Sequence, residues 1–257
     1  MGKGDSKKEF VCLRFYEELN FFLPPEKRKT AYSRRLSPGQ TVKDMIESEG
    51  VPHVEVDLIL VNGESVGFDY RLLPGDRISV YPVFERLDIS GVTRLQNRPL
   101  RQPRFVLDVH LHKLAVKMRL LGLDVDYQPR RDDPELAQIS SETGRILLTR
   151  DKGLLMRKIV THGLYIYETD PARQIREVVE RLDLKSRLAP FSRCTLCNGL
   201  LRPIEPDTED YERTRASVPP KVRKNCRRFS RCADCGKVYW EGSHTDSIRL
   251  WMDELLI

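Results

Sequence analysis

Arg104-Phe-Val-Leu-Asp108 and Gly144-Arg-Ile-Leu-Leu-Thr-Arg-Asp151 are two short apolar runs, each leading into a carboxylate. Neither run alternates polar with apolar, so each reads as a strand buried on both faces, the mark of a parallel sheet. Helical patterns separate them. From His110 to Leu121, the residues Leu111, Leu114, Ala115, Met118 and Leu121 fall on one helical face, stopped by Gly122. Leu123-Asp-Val-Asp-Tyr127 reads as another strand. Asp133-Pro134-Glu135 opens a helix, with Asp133 as cap and Pro134 as its first residue. A further helix, a strand over 163–167 and a helix begun by Asp170-Pro171 complete an α/β alternation with right-handed crossovers.

Ligands of such sheets bind beyond the carboxyl ends of the strands, which is where Asp108 and Asp151 fall. Asp133, at a helix start, is expected on the same rim. Clustered carboxylates are costly unless protonated or bridged by cations, and hard divalent ions such as Mg²⁺ or Mn²⁺ take oxygen ligands of this kind. Ordinary N-capping is the competing account of Asp133 and Asp170, and a plain loop acid that of Asp108 and Asp151.

Outward from this core, the C-terminal part carries Cys194-Thr-Leu-Cys197 and Cys232-Ala-Asp-Cys235-Gly236. Each pair aims two thiolates from one tight turn, and two such turns make a closed Cys₄ zinc site with no position open for chemistry. Redox pairs seldom come in twos. The stretch between the pairs is long for a zinc ribbon and predicts a looped insertion. It contains Lys221-Val-Arg-Lys-Asn-Cys-Arg-Arg-Phe-Ser-Arg231, six basic residues in eleven without an acid. Arg223, Lys224, Arg227 and Arg228 are therefore candidate phosphate contacts, with Phe229, Tyr239 and Trp240 as flanking bases' stacking partners. A solvated basic loop over core aromatics is the alternative. Asp207 to Glu212 reads as an acidic surface loop.

The N-terminal third has strand composition over Phe10–Tyr16 and within 27–36. A capped helix from Thr41 to Gly50 follows, then a strand at Val54–Val61 ended by the hairpin signal Asn62-Gly63, and a turn, Leu73-Pro-Gly-Asp, into a last strand. This order is a β-grasp. Leu60-Val-Asn-Gly-Glu64 and Leu73-Pro-Gly-Asp-Arg-Ile78 resemble the ubiquitin-like sulfur carriers, but the chain runs on through Tyr81 without a Gly-Gly terminus. Carrier chemistry thus lacks its reactive group, which leaves a docking or targeting module. Gly91, Pro99 and Pro103, with Arg94, Arg98, Arg101 and Arg104, form a basic linker.

Over nearly its whole length the chain resembles the Mut-seven C-terminal RNase family, a branch of the PIN-like nucleases. The likeness rests on Phe105-Val-Leu-Asp108, Lys113-Leu-Ala, Arg119-Leu-Leu-Gly-Leu-Asp124, Asp133-Pro-Glu-Leu136 and Gly144–Asp151, then on both cysteine pairs with Gly236-Lys-Val-Tyr-Trp-Glu-Gly-Ser-His244. An N-terminal ubiquitin-like domain is a known companion. The resemblance implies Asp108, Asp133 and Asp151 as catalytic acids holding magnesium or manganese, zinc on Cys194, Cys197, Cys232 and Cys235, and RNA as substrate. Arg119 and Arg150 become candidates for phosphate or structural contacts. Along the first helix, Leu111-His-Lys-Leu-Ala-Val-Lys-Met-Arg119 lacks the glycine, first arginine and tryptophan usual in the family.

The expected organisation is a ubiquitin-like β-grasp domain over 9–88, a basic linker over 89–103, a PIN-like RNase domain over 104–188 and a zinc ribbon over 189–250. A catalytically inactive RNA-binding adaptor is the second reading, and a protein partner would dock on the β-grasp domain. Net charge of +6 and a pI near 9.0 favour an acidic partner. The start, Met1-Gly-Lys-Gly-Asp-Ser-Lys-Lys, has no apolar core of a signal peptide, and no apolar run has membrane-spanning length. Thiol usage and the missing leader predict a soluble, cytoplasmic protein.

Overall fold

A computed structural model describes residues 9–84, 89–95 and 103–256. Arg98 and Arg101 of the predicted linker lie outside them. The chain divides into two compact units that cut across sequence order, one of 1–110 with 130–167 and one of 111–129 with 168–257.

In the first unit, β1 (Phe10–Phe15) sends Val11, Leu13 and Phe15 inward by simple alternation. It pairs antiparallel with β2 (Tyr32–Arg35). The helix α1 (Val42–Ser48) begins with a capping box, in which Thr41 Oγ1 accepts from the Asp44 amide and the Asp44 carboxylate accepts from the Thr41 amide. Val42, Met45 and Ile46 on its inner face are buried. Next come β3 (Val56–Val61), β4 (Glu64–Ser65) and β5 (Arg77–Pro82), giving the sheet order β2-β1-β5-β3-β4 with β1 and β5 parallel at its centre. Asn62 and Gly63, at φ 54° and 94°, form the two-residue turn that the Asn-Gly pair predicts. The buried Asp76 carboxylate accepts from Asn62 Nδ2 and from the Leu73 amide, both at 2.8 Å, and so ties this hairpin to the Pro-Gly-Asp turn.

The same unit holds a parallel run of three strands, β6 (Arg104–Leu107), β8 (Ile146–Thr149) and β9 (Gly163–Tyr165); β7 (Asp124–Asp126) belongs to the second unit. All four residues of β8 are buried, as expected of a strand covered on both faces. The connecting helices of this unit are α3 (Asp133–Thr143) and α4 (Lys152–Leu155); α2 (His112–Leu120) lies in the second unit. The cap of α3 is Asp132, whose Oδ1 accepts from the Glu135 amide at 2.9 Å, so Asp133 is the first helical residue rather than the cap.

The β-grasp elements and the parallel strands of this unit share packing. Phe22 contacts the rings of Tyr165 and Tyr167, each at 5.4 Å between centroids. Val54 joins Val106, Leu136, Leu147 and Val160 in one apolar cluster. His53 is buried with its ring nitrogens 2.7 Å from Glu47 Oε1 and 3.0 Å from the Val160 carbonyl, while Glu55 accepts from the Tyr165 amide. The β-grasp is thus built into the wall of the sheet.

In the second unit, α2 buries Leu114, Ala115 and Met118 and packs on α5 (Pro171–Arg181), which Asp170 caps through the amides of Ala172 and Arg173. Gly122, at φ 85°, lies where a Cβ would stand 2.1 Å from the Ala189 carbonyl oxygen, so only glycine lets the two segments meet. Three antiparallel strands, β10 (Leu201–Ile204), β11 (Phe229–Cys232) and β12 (Val238–Trp240), form the ribbon. The predicted looped insertion is two helices, α6 (Glu209–Ser217) and α7 (Pro220–Asn225), held by a small core of Ile204, Tyr211, Val218, Cys226 and Phe229. The acidic stretch expected as a loop is the first turn of α6, where Glu209 and Asp210 complement the positive end of the helix dipole behind the Thr208 cap. The last helix is α8 (Ser243–Leu256), and no described helix is long and apolar enough to cross a membrane.

Because Phe22 is nearly buried against Tyr165 and Tyr167, Phe22→Ala is expected to cost about 3 kcal/mol of unfolding free energy. Urea denaturation measures the loss, and amide exchange should quicken in both β1 and β9.

Candidate functional site

Two constellations of chemical side chains emerge, one in each unit. In the first, Asp108 follows β6 directly, and its amide donates to the Leu148 carbonyl at 3.1 Å, so the parallel register sets its position. Asp108 as a whole is 7% exposed. Its Oδ1 accepts from the His110 amide at 3.1 Å and lies 3.0 Å from His110 Nδ1. Its Oδ2 accepts from the Thr149 hydroxyl at 2.6 Å. Thr149 is fully buried at the end of β8, and its Oγ1 also accepts from the Asp151 amide at 3.0 Å. One hydroxyl therefore connects both strand-end acids. Asp151 is exposed and caps α4, its Oδ1 accepting from the amides of Gly153 at 2.7 Å and Leu154 at 3.3 Å. No lysine or arginine is ion-paired with Asp108 among the described residues.

Asp133 lies half-buried at the start of α3. The three acids are not gathered into one set of ligating oxygens; among the described residues the four cysteines are the group of that kind. Arg150 Nη1 donates to the carbonyls of Ile166 and Tyr167, both at 2.7 Å. Burial pushes the Lys152 ammonium below its usual range, where it lies over the Phe22 ring.

In the second unit the sulfur atoms of Cys194, Cys197, Cys232 and Cys235 all lie within 4.8 Å of one another. Cys194 and Cys235 are 3.7 Å apart and Cys197 and Cys232 3.4 Å. Tetrahedral thiolates on zinc would be about 3.8 Å apart, given a Zn–S bond of about 2.3 Å. The set fits the ion. Each knuckle turns through a residue in the left-handed region directly after its second cysteine, Asn198 at φ 72° and Gly236 at φ 73°. The Asn198 amide then reaches the Cys194 carbonyl and the Gly236 amide the Cys232 carbonyl. Desolvation raises the Cys194 thiol, but hydrogen bonds from the Tyr239 hydroxyl and from backbone amides outweigh it and bring the thiol down to about 6. Desolvation and the neighbouring thiols push Cys197 up to about 12. Tyr239 also accepts from the Thr195 amide at 3.1 Å, so its ring is a support of the first knuckle.

Arg119 holds that knuckle from the other side. It is 3% exposed, and its guanidinium donates to the carbonyls of Val125, Tyr127, Thr195 and Leu196. With its donors engaged on backbone, Arg119 is a structural contact and has nothing left for phosphate. Asn198 adds bonds to the Val125 amide and to Asp124, both at 2.9 Å.

Of the basic run, Lys224, Arg227 and Arg228 are exposed, while Arg223 donates to the Ala216 carbonyl. Arg231 forms a two-pronged pair with Asp210 at 2.9 Å. Phe229 is core, at 2% exposure, and cannot stack on a base; Trp240 keeps 41% of its surface open. Asn198 and Gly236 follow the two pairs as the turn-tolerant residues that knuckles need, but sequence reasoning passed over Thr149 and the Tyr239 hydroxyl. The available signal for the first was a β-branched hydroxyl residue two positions before an acid.

A family model described as the Mut7-C RNAse domain matches residues 103–252, and one described as Mut7-C ubiquitin matches residues 8–88. No significant match exists among curated proteins or solved structures. The chain belongs to the Mut7-C RNase family, with the ubiquitin-like domain ahead of it.

Removing the Arg119 side chain strands several buried carbonyls, each worth about 1–3 kcal/mol when left without a partner. Arg119→Ala is expected to lower stability by at least about 2 kcal/mol, seen by thermal melting, and to speed amide exchange at Val125.

Proposed function

We propose, from its membership of the Mut7-C RNase family, that this chain is a metal-dependent, PIN-like ribonuclease that hydrolyses RNA phosphodiester bonds. The observation that supports the reading is the Thr149 bridge, which links the Asp108 carboxylate to the Asp151 amide at the carboxyl ends of neighbouring parallel strands. Asp108 and Asp151 offer hard oxygens of the kind magnesium and manganese take, and Mg²⁺ commonly uses only one or two carboxylates with water and substrate phosphate filling the rest. Asp133 is the third acid assigned to this rim. A divalent ion bound there would stabilise charge on the phosphodiester and lower the pKa of a bound water. The chain's own part is positional. Thr149 and the His110 amide orient the Asp108 oxygens, and the Gly153 and Leu154 amides orient Asp151.

Zinc is assigned to the four cysteines on the fit of their spacing, in a structural role, since four protein ligands leave no open position. A thiolate site of this kind is kept in a reducing compartment, so the cytoplasm is the proposed location. RNA is held by Lys224, Arg227 and Arg228, with Arg223 beside them, and the β-grasp domain offers its outer surface to a protein partner. The sequence-order domains 9–88, 104–188 and 189–250 are the proposed functional divisions, joined by the 89–103 linker.

Asp108→Asn and Asp151→Asn are each expected to abolish Mn²⁺-dependent cleavage of mixed RNA, by several orders of magnitude, with RNA affinity kept. Thr149→Val should slow cleavage and raise the Mn²⁺ concentration needed, while Thr149→Ser restores both. Full activity in both Asn variants would overturn the assignment of these acids, and none in the parent chain would instead support the RNA-binding adaptor.

Purified protein should carry about one zinc per chain by metal analysis. Cys197→Ser should lose it and unfold the ribbon, because metal binding supplies much of the folding free energy of such modules.

A further inference from the structure

The 3₁₀ helix Glu17–Phe22 ends in two phenylalanines that face different surroundings. Phe22 is nearly buried, whereas Phe21 keeps 63% of its surface open. A lone exposed phenylalanine is ordinary on a protein surface. Phe21 is set apart by what fixes it and by what lies beside it. Its ring packs on Tyr167 at 5.2 Å between centroids, and Tyr167 packs in turn on Tyr165 at 5.0 Å and on Phe22 at 5.4 Å. Tyr165 is the register partner of Thr149 in parallel strands, so these two side chains share one face of the sheet. The aromatic group therefore lies on the face that carries the hydroxyl linking Asp108 to Asp151. It reaches the carboxyl end of that face, since Tyr167 follows β9.

The residues on both sides of Asp151 are fastened to this group. Arg150 Nη1, one position before it, donates to the Tyr167 carbonyl at 2.7 Å. Lys152, one position after it, directs its ammonium to the Phe22 carbonyl at 3.5 Å and lies over the Phe22 ring at 5.1 Å. An ammonium has three donors, and that carbonyl takes one, which leaves Lys152 able to meet a phosphate. Glu17 and Glu18 occupy the first turn of the 3₁₀ helix, so the helix itself offers a ring to a base and no positive charge to a phosphate.

An open aromatic face, an ammonium and a strand-end carboxylate, joined by this series of contacts, match the base, the phosphate and the scissile centre of an RNA strand. We propose that Phe21 is a base-stacking platform for single-stranded RNA, with the backbone passing Lys152 on its way to Asp151. The inference deepens the ribonuclease reading and rests on it for the class of substrate. A base inside a duplex already has both faces stacked, so the platform selects unpaired RNA. The β-grasp elements thereby contribute a substrate-binding residue to the acid rim of their own unit.

A labelled ten-nucleotide single strand is titrated into the zinc-loaded full chain without added Mg²⁺ or Mn²⁺. Phe21→Ala should weaken binding by about 5- to 100-fold, the loss of one base–aromatic stack. Thermal melting should barely move, because the ring is open. Phe21→Tyr should recover most of the affinity, and Phe21→Leu, which keeps apolar bulk without a ring, should not. Among strands that each lack one base, one should bind the native chain as weakly as the intact strand binds Phe21→Ala, and at that position the two losses should not add. Lys152→Gln should weaken binding and flatten its salt dependence. Equal affinity in Phe21→Ala, full recovery in Phe21→Leu, additive losses at every position, an unchanged salt slope in Lys152→Gln, or no binding by the native chain overturns the proposal. The same strand with Mn²⁺ separates it from the ribonuclease reading. Cleavage with a KM that Phe21→Ala leaves unmoved keeps the ribonuclease and removes the platform, whereas Phe21-dependent binding without any cleavage does the reverse.

Discussion

Thr149 has a single hydroxyl hydrogen, and it goes to Asp108 Oδ2 at 2.6 Å. That donation orients the oxygen so that a lone pair meets the Asp151 amide at 3.0 Å. The side chain is fully buried and β-branched, so its rotamer is restricted and the hydroxyl has no water to turn toward. The positions of Asp108 and Asp151 are coupled by this bond pattern. It requires β6 and β8 to be parallel neighbours, with Leu107 opposite Leu148. A slip of one residue would turn the hydroxyl to the other face of the sheet and uncouple the acids. Asp151 in turn caps α4, so the helix start, the strand end and the candidate metal ligand are one local structure.

The second unit is organised on the same economy by a different residue. Arg119 presents five N–H donors in a rigid fork, and the fork matches carbonyls from the segment after α2 and from the first cysteine turn. Burying a guanidinium is expensive unless its hydrogens are satisfied. Here they are, and the cost is offset by joining two segments more than seventy residues apart, 76 residues for Thr195 and 77 for Leu196. Asn198 repeats the logic from the opposite side by bonding Val125 and Asp124. The first knuckle is thus anchored to β7 whatever fills the cysteines, and a metal there rigidifies more than the ribbon alone.

Much of this was legible from residue patterns, and the misses have physical causes. Residue composition marked the strand over Phe10–Tyr16, the Asn62-Gly63 pair marked its hairpin, and doubled Cys-x-x-Cys spacing located the sulfur cluster. Asp132-Asp133-Pro134 offers two cap candidates, and propensity cannot choose between them because Pro is tolerated at either the first or second helical position. The acidic stretch before Tyr211 looked like a loop because α6 buries only Tyr211 and Thr214, too little for a periodic signal. Phe229 and Trp240 are aromatic residues in the same basic neighbourhood, yet one is core and the other open. Register puts the two on one face of the sheet, so what separates them is the packing of Tyr211, Val218 and Cys226 on Phe229, a long-range property. The roles of Arg119 and Arg150 were hidden for the same reason. An arginine facing phosphate and one facing carbonyls look alike until the carbonyls are in place.

The β-grasp domain was the largest gap between pattern and structure. Its elements were readable, but its relation to the parallel strands of its own unit was not, because the joining residues look unremarkable singly. Phe22, Val54, His53 and Glu55 lie in short irregular segments beside α1 and β3. Together they supply ring contacts to Tyr165 and Tyr167, an apolar contact to Val106, and bonds to the Val160 carbonyl and the Tyr165 amide. Without that wall, Tyr165 and its neighbours in β9 would expose an aromatic edge to water, and the strand lies directly beside β8, which carries Thr149. The ubiquitin-like fold, which runs on through Tyr81 without a glycine pair, is here a flank of β9, the neighbour of the strand that carries Thr149.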